Sequence, residues 1–108
     1  MLEPKIINTD AGETKYHRLL GGPPDSVTLH SGTVVLQPDE SIGEHSTGSN
    51  EELIVILQGE GRFLFENGTE LILKPNTAAY CPPETIHNIK NTGSSPLHYI
   101  YIVAKADL

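Results

Sequence analysis

The chain has 108 residues, enough for one domain and too few for a second of ordinary size. Its formal charge of −7 argues against nucleic acid and anionic membrane surfaces as partners. A single cysteine excludes an internal disulfide, and the sequence contains neither a signal-like start nor an apolar run of about 20 residues. We therefore expect a cytoplasmic protein with no membrane partner.

The negative charge is concentrated in one part of the sequence. Between Asp39 and Glu70 there are eight acidic residues and a single base, Arg62. Most acids in such a run are expected at a solvated surface, because an unpaired buried carboxylate is costly.

The first 26 residues are polar and irregular, and a Gly-Gly-Pro-Pro break begins at Gly21. Gly and Pro disrupt regular structure, so we interpret residues 1–26 as an N-terminal arm with one early strand at 5–8. Residues 27–108 then form the single domain.

Strand signals recur at short intervals after the arm. Asn67-Gly68 is the strongest hairpin signal among them. No apolar residues recur at helical spacing over ten or more positions, so we predict an all-β antiparallel sandwich or barrel, able to hold one small ligand. The predicted strands are residues 27–36, 52–57, 62–66, 69–73, 77–80, 86–90 and 97–104.

Three residues have side chains suited to a divalent metal: His45, Glu52 and His87. Imidazole and carboxylate are preferred ligands of borderline metals, and a set of two His and one carboxylate leaves coordination positions open. Taken singly, each residue has a simpler interpretation. A lone strand histidine is usually partnered or at the surface, and Glu52 alone would be a solvated acid at a strand end.

The spacing of these residues resembles the two sequence motifs of the cupin family. Residues 39–59 follow the pattern G-x5-H-x-H-x(3,4)-E-x6-G at His45, Glu52 and Gly59. Residues 82–91 follow P-x-G-x2-H-x3-N at Pro82, His87 and Asn91. The resemblance spans residues 27–104 and implies an antiparallel double-stranded β-helix, the jelly-roll barrel of a small single-domain cupin.

Three positions depart from the family pattern. Asp39 and Glu84 replace glycines at turns, and Thr47 replaces the second histidine of the first motif. Family members usually bind a metal through three His and one Glu. The resemblance therefore implies a site for Fe, Mn, Ni, Co or Zn at His45, Glu52 and His87, with one ligand missing. Either these three residues suffice, or another residue substitutes, or the metal is lost and a polar pocket remains.

Neighbouring residues are poor substitutes for the missing ligand. Glu51 precedes Glu52, and adjacent strand residues point to opposite faces. In phase with the usual cupin pattern, the last strand directs His98 outward. His30 lies on another predicted strand, and His17 belongs to the arm and is expected to be solvated.

Thr47, Tyr99 and Tyr101 are candidates for lining the pocket. A tyrosine offers an apolar ring and a hydroxyl that can bond a ligand, although the two tyrosines fit a core or a dimer interface equally well. Cys81 is expected to be a buried, unreactive thiol.

Two classes of function follow from the sequence. A metal-dependent enzyme would act on a small oxygenated molecule as a dioxygenase, isomerase, lyase or decarboxylase, as cupins do. A non-catalytic protein would bind or sense a sugar or organic acid, with weak metal binding or none. Single-domain cupins are often dimers, so we expect a homodimer, with residues 97–104 contributing to its interface.

Overall fold

The computed structural model describes residues 2–10, 12 and 14–107, which form nine β-strands. Within these residues there is no helix, and so none that could cross a membrane. The strands are β1 Tyr16–Gly21, β2 His30–Leu36, β3 His45–Ser46, β4 Asn50–Gln58, β5 Gly61–Phe65, β6 Glu70–Leu73, β7 Ala78–Cys81, β8 Ile86–Asn91 and β9 Leu97–Lys105.

The strands form two antiparallel sheets that face each other. One sheet has five strands in the order β1-β2-β9-β4-β7, and the other has four in the order β3-β8-β5-β6. Every strand pair is antiparallel. The prediction of an all-β jelly-roll barrel is confirmed, and each of the seven predicted strands is present with shifted ends.

The sequence missed two strands. The expected strand at residues 5–8 is wrong, since these residues have no regular structure. The strand of this region is β1, which pairs with β2 and so adds residues 16–21 to the sheet. As a half-exposed edge strand, β1 lacks the alternation that marks a buried face. Strand β3 has only two residues, too few to show a period.

The core lies between the sheets and is built from alternate residues of the strands. Leu36, Ile54, Phe63 and Leu97 are fully buried in it. On β4, Glu52, Ile54 and Ile56 face inward while Leu53 and Leu57 are exposed. This alternation determines that Glu52 lies inside the barrel.

The motif residues outside the metal set have structural roles. Gly59 has φ of 87°, and a β-carbon there would lie 2.8 Å from Cα of Leu97. Asn91 is buried, and its amide donates to the carbonyls of Leu36 and Ser95. The positive φ and the close backbone approach both favour glycine at position 59. At position 91, the two hydrogen bonds require a side chain that can donate twice.

Asp39 and Glu84, which replace glycines of the cupin motifs, also have positive φ angles. Asp39 has φ of 71° and Glu84 has φ of 53°. Both lie in the left-handed region, where a glycine carries no steric cost. Asp tolerates this region better than most residues, whereas Glu has no special preference for it. The substitutions therefore keep the turns and add local strain at Glu84.

Candidate metal centre

Three strands bring His45, Glu52 and His87 together at one end of the barrel. His45 on β3 is the direct register partner of His87 on β8. Glu52 projects from β4 in the opposite sheet. One ligand atom from each residue lies within 4.8 Å of the other two, which is the spacing expected around a shared ion.

Both histidine rings are oriented by backbone carbonyls. Nδ1 of His45 lies 2.9 Å from the Gly43 carbonyl oxygen, and Nδ1 of His87 lies 2.9 Å from that of Thr85. A carbonyl only accepts, so each Nδ1 carries a proton, and in the neutral ring Nε2 carries the lone pair. This arrangement prepares a histidine to bind a metal through Nε2.

Glu52 and His87 are close without being aligned. Oε1 of Glu52 lies 3.1 Å from Nε2 of His87, and both side chains are largely buried. Among the described residues, Nε2 makes no hydrogen bond of good geometry, so its contact with Glu52 is mainly electrostatic. A buried nitrogen without a partner is costly, and a bound cation near both atoms would satisfy it.

The surroundings of His87 act on its pKa in opposite directions. Burial lowers the pKa, since the charged imidazolium loses hydration, whereas the Glu52 carboxylate and the Thr85 carbonyl raise it. The net effect is a raised pKa. Without a metal, the surroundings of His87 therefore stabilise its protonated, positively charged form relative to the free side chain.

Aromatic packing restrains the His87 ring further. The rings of His45 and His87 pack edge to face with centroids 4.2 Å apart. The Phe63 ring also packs edge to face with His87, with centroids 5.5 Å apart, and it stacks on Phe65. Phe63 therefore limits the orientations open to the His87 ring.

Thr47 lines the same cavity, but its hydroxyl makes hydrogen bonds to two backbone groups. Oγ1 donates to the Pro82 carbonyl at 2.7 Å and accepts from the Thr85 amide at 3.1 Å. The Thr47 amide also donates to the Thr85 carbonyl, which orients His87. We call these three bonds the Thr47 clasp. At the position of the family's second histidine, this chain has a residue that joins two loops.

A cavity of about 350 Å³ adjoins the three candidate ligands. Its lining includes Tyr99 and Tyr101, together with Tyr16, which the sequence did not single out. Burial raises the pKa of both Tyr99 and Tyr101, and the Glu52 carboxylate adds to the effect. Both hydroxyls therefore stay protonated at neutral pH and can donate a hydrogen bond. Tyr16 had no signal of its own because it belongs to the edge strand that the sequence missed.

Other candidate residues lie outside this group. Glu51 points away from Glu52 and accepts a hydrogen bond from the Tyr80 hydroxyl. His17, His30 and His98 are not among the residues that line the cavity. The adjacent glutamates therefore have different roles, as strand alternation predicted.

Cys81 is buried beneath the site, with Sγ 3.5 Å from Nδ1 of His87. Burial raises the pKa of the thiol to about 11, and the Glu52 carboxylate acts in the same direction. The thiolate is the reactive form, so Cys81 is unreactive at neutral pH, as expected from the sequence.

The fold and the ligand geometry agree with the sequence comparison. Residues 32–103 match the family model described as "Cupin domain", which covers more than half of the chain. The chain belongs to the cupin family.

Individual relatives share parts of this architecture. An oxalate-binding protein of Thermotoga maritima is 31% identical over 68 residues, which are 63% of this chain and 55% of that protein. The chain thus matches little more than half of that relative's length. A cupin family protein from Methanocaldococcus jannaschii, described as RmlC-like with a double-stranded β-helix fold, superposes with a TM-score of 0.78 at 18% identity, covering 95% of this chain and 92% of that one.

A third similar structure is a predicted oxalate decarboxylase from Thermotoga maritima. It superposes with a TM-score of 0.70 at 20% identity, covering 94% of this chain and 99% of that one. At this level of identity, the structural similarity demonstrates the shared fold.

Proposed function

We propose that His45, Glu52 and His87 hold a divalent transition metal that binds a small oxygenated acid and promotes its reaction. The observation that carries this proposal is the convergence of three ligand atoms within 4.8 Å, one of them a buried nitrogen without a partner. Fe, Mn, Ni, Co and Zn all accept this donor set. When bound, such an ion polarises a coordinated carboxyl or carbonyl oxygen.

The charge of the cavity supports an acid as the ligand. Its described lining contains Glu52 and no Lys or Arg. Without a metal this lining offers an anion no permanent positive charge, whereas a divalent ion balanced by one carboxylate leaves a net positive charge. Two relatives, an oxalate-binding protein and a predicted oxalate decarboxylase, support the same ligand chemistry.

A non-catalytic binding or sensing protein is the second candidate. If all three candidate ligands coordinate the ion, the tyrosines are the remaining titratable residues in the described lining. The raised pKa values of Tyr99 and Tyr101 make them proton donors and not bases at neutral pH. Reactions that require a separate protein base are therefore less well supported than metal-centred chemistry or binding alone.

Metal analysis tests the proposed site directly. We expect protein purified without added metal to contain a near-stoichiometric divalent ion, and added metal to raise the melting temperature of the stripped protein. Glu52→Gln and His87→Ala should abolish both effects. Glu51→Gln is the matched control, because the neighbouring carboxylate faces outward. A protein that stays metal-free and ignores added ions would refute the proposal.

Turnover separates the two candidate functions. The metal-loaded protein is incubated with oxalate and with simple 2-oxo acids, and consumption is followed by nuclear magnetic resonance. We expect catalysed consumption that disappears in Glu52→Gln. Saturable binding without consumption would favour the binding or sensing role.

We also propose a homodimer formed through the outer face of the five-stranded sheet. Strand β9 lies between β2 and β4, so both its backbone edges are already paired. Its contribution must therefore come from outward side chains such as Ile100 and Ile102. Leu53 and Leu57 on β4 extend the same apolar face and are exposed. The cytoplasmic location expected from the sequence stays a prediction.

A further inference from the structure

We infer that the ligand is a 2-oxo or 2-hydroxy acid with an apolar carbon chain, larger than oxalate. The inference rests on the proposed metal site and concerns the rest of the cavity beside it. It depends on the volume of that cavity and the chemistry of its walls.

The cavity is too large for oxalate. Oxalate occupies roughly the volume of two or three water molecules, at about 30 Å³ each. The cavity measures about 350 Å³. Oxalate on the metal would thus fill about a quarter of the space and leave the remainder to water.

That remaining space is lined largely by apolar side chains. Val34 and Val103 contribute from the five-stranded sheet, Ile89 from β8, and Ile42 from the loop before β3. Water against these walls is unfavourable, and burying a ligand's methylene groups there is worth about 0.8 kcal/mol each. The walls therefore favour a ligand with a hydrocarbon body.

The polar end of the cavity specifies the other half of the ligand. The proposed ion supplies a permanent positive charge, with positions open for a carboxylate and a neighbouring oxygen. Tyr99 and Tyr101 line the same cavity from β9 and can donate hydrogen bonds to a ligand. A chelating acid group at one end and a carbon chain at the other match this division.

Gly32 helps to keep the cavity open. It is the register partner of Tyr101 on the neighbouring strand, and a β-carbon at Gly32 would lie 2.7 Å from the Tyr101 hydroxyl. The absence of a side chain lets the tyrosine ring lie over β2. A bulkier residue would displace the ring, so the wall that borders the ligand depends on this glycine.

A homologous series of ligands tests the inference. Protein with verified metal stoichiometry is titrated calorimetrically with oxalate, pyruvate, 2-oxobutyrate, 2-oxovalerate and 2-oxohexanoate. We expect the dissociation constant to fall about fourfold per added methylene, from the transfer free energy above. Oxalate binding tightest, with no gain along the series, would overturn the inference and leave the metal proposal intact. A failure to bind metal would refute both.

Matched variants locate the carbon chain. Val103→Thr keeps the volume of the side chain and makes that wall polar, so it should weaken 2-oxohexanoate binding several-fold and leave pyruvate binding unchanged. Ile72→Thr, at an exposed position of β6 outside the cavity, should change neither. Ile42→Thr provides a second inward test if Val103→Thr proves unstable. Unchanged 2-oxohexanoate affinity in a folded, metal-loaded inward variant would overturn the inference.

Discussion

Nε2 of His87 lies 3.1 Å from Oε1 of Glu52, and the two atoms are not aligned for a hydrogen bond. Nδ1 of the same ring is oriented by the Thr85 carbonyl. The second nitrogen is therefore held in place beside a carboxylate without being satisfied by it. This relationship is the observation on which the proposed role of His87 as a metal ligand rests.

The first prediction concerns pH. Because the pKa of His87 is raised in the fold, its contribution to stability without metal is complete below the unfolded value of about 6.5 and is lost as pH rises through the folded pKa. Metal binding has the opposite dependence, since the proton must leave Nε2. We expect the metal-induced rise in melting temperature to grow between about pH 6 and 8.

The control for this prediction is His87→Gln. In the stripped protein, this variant should lose the part of the pH dependence that His87 contributes. A metal-induced shift in the native protein that is constant over the same pH interval would contradict the assignment of His87 as a ligand.

The second prediction concerns the Thr47 clasp. Thr47→Val keeps the shape of the side chain and removes both hydroxyl hydrogen bonds, including the one to the Thr85 amide. Because Thr85 orients His87, we expect metal affinity to fall roughly tenfold, the lower end of the range for outer-shell partners. Thr47→Ser should retain it. Competition with a chromophoric chelator measures the affinities.

The third prediction concerns a histidine at the same position, Thr47→His. Thr47 lines the cavity at the position where other cupins have a histidine ligand. An added imidazole should tighten metal binding, while the loss of the clasp should lower the melting temperature of the stripped protein. Thr47→Val, which also lacks the clasp, is the reference, and an affinity of Thr47→His no higher than that of Thr47→Val would mean that this position does not face the ion.

The fourth prediction separates two glycines by their surroundings. Gly59 and Gly68 both have positive φ, 87° and 92°. A β-carbon at Gly59 would meet the Pro96 carbonyl oxygen, whereas nothing lies within 4 Å of one at Gly68. Gly68→Ala should cost about 1–2 kcal/mol from φ alone, and Gly59→Ala clearly more. Urea unfolding measures both, and equal costs would refute the steric explanation.

The fifth prediction concerns the proposed dimer. Leu53 and Ile72 are both exposed, and they lie on the outer faces of different sheets, since Ile72 alternates with the buried Leu73 on β6. Leu53→Lys should dissociate the dimer, and Ile72→Lys should leave it intact. Light scattering after size exclusion measures the mass. A monomeric native protein, or dissociation by Ile72→Lys alone, would rule out the proposed face.

Much of the fold was predictable because its information is local. Alternating apolar residues, turn residues and Asn67-Gly68 marked seven of the nine strands. The two missed strands carry little local information, since β1 is a partly exposed edge and β3 has two residues. They form because partner strands supply their hydrogen bonds, which is a property of the tertiary structure.

By itself, the sequence determined that this chain is acidic and forms β-strands, and motif spacing indicated His45, Glu52 and His87 as candidate ligands. It also determined that Glu51 and Glu52 face opposite sides, because strand alternation has a period of two. Only the tertiary structure brought His45 and His87 into register and opposed Glu52 to them from the other sheet. It alone decided that Thr47 joins two loops, since hydrogen bonds across 35 and 38 residues depend on how the chain closes.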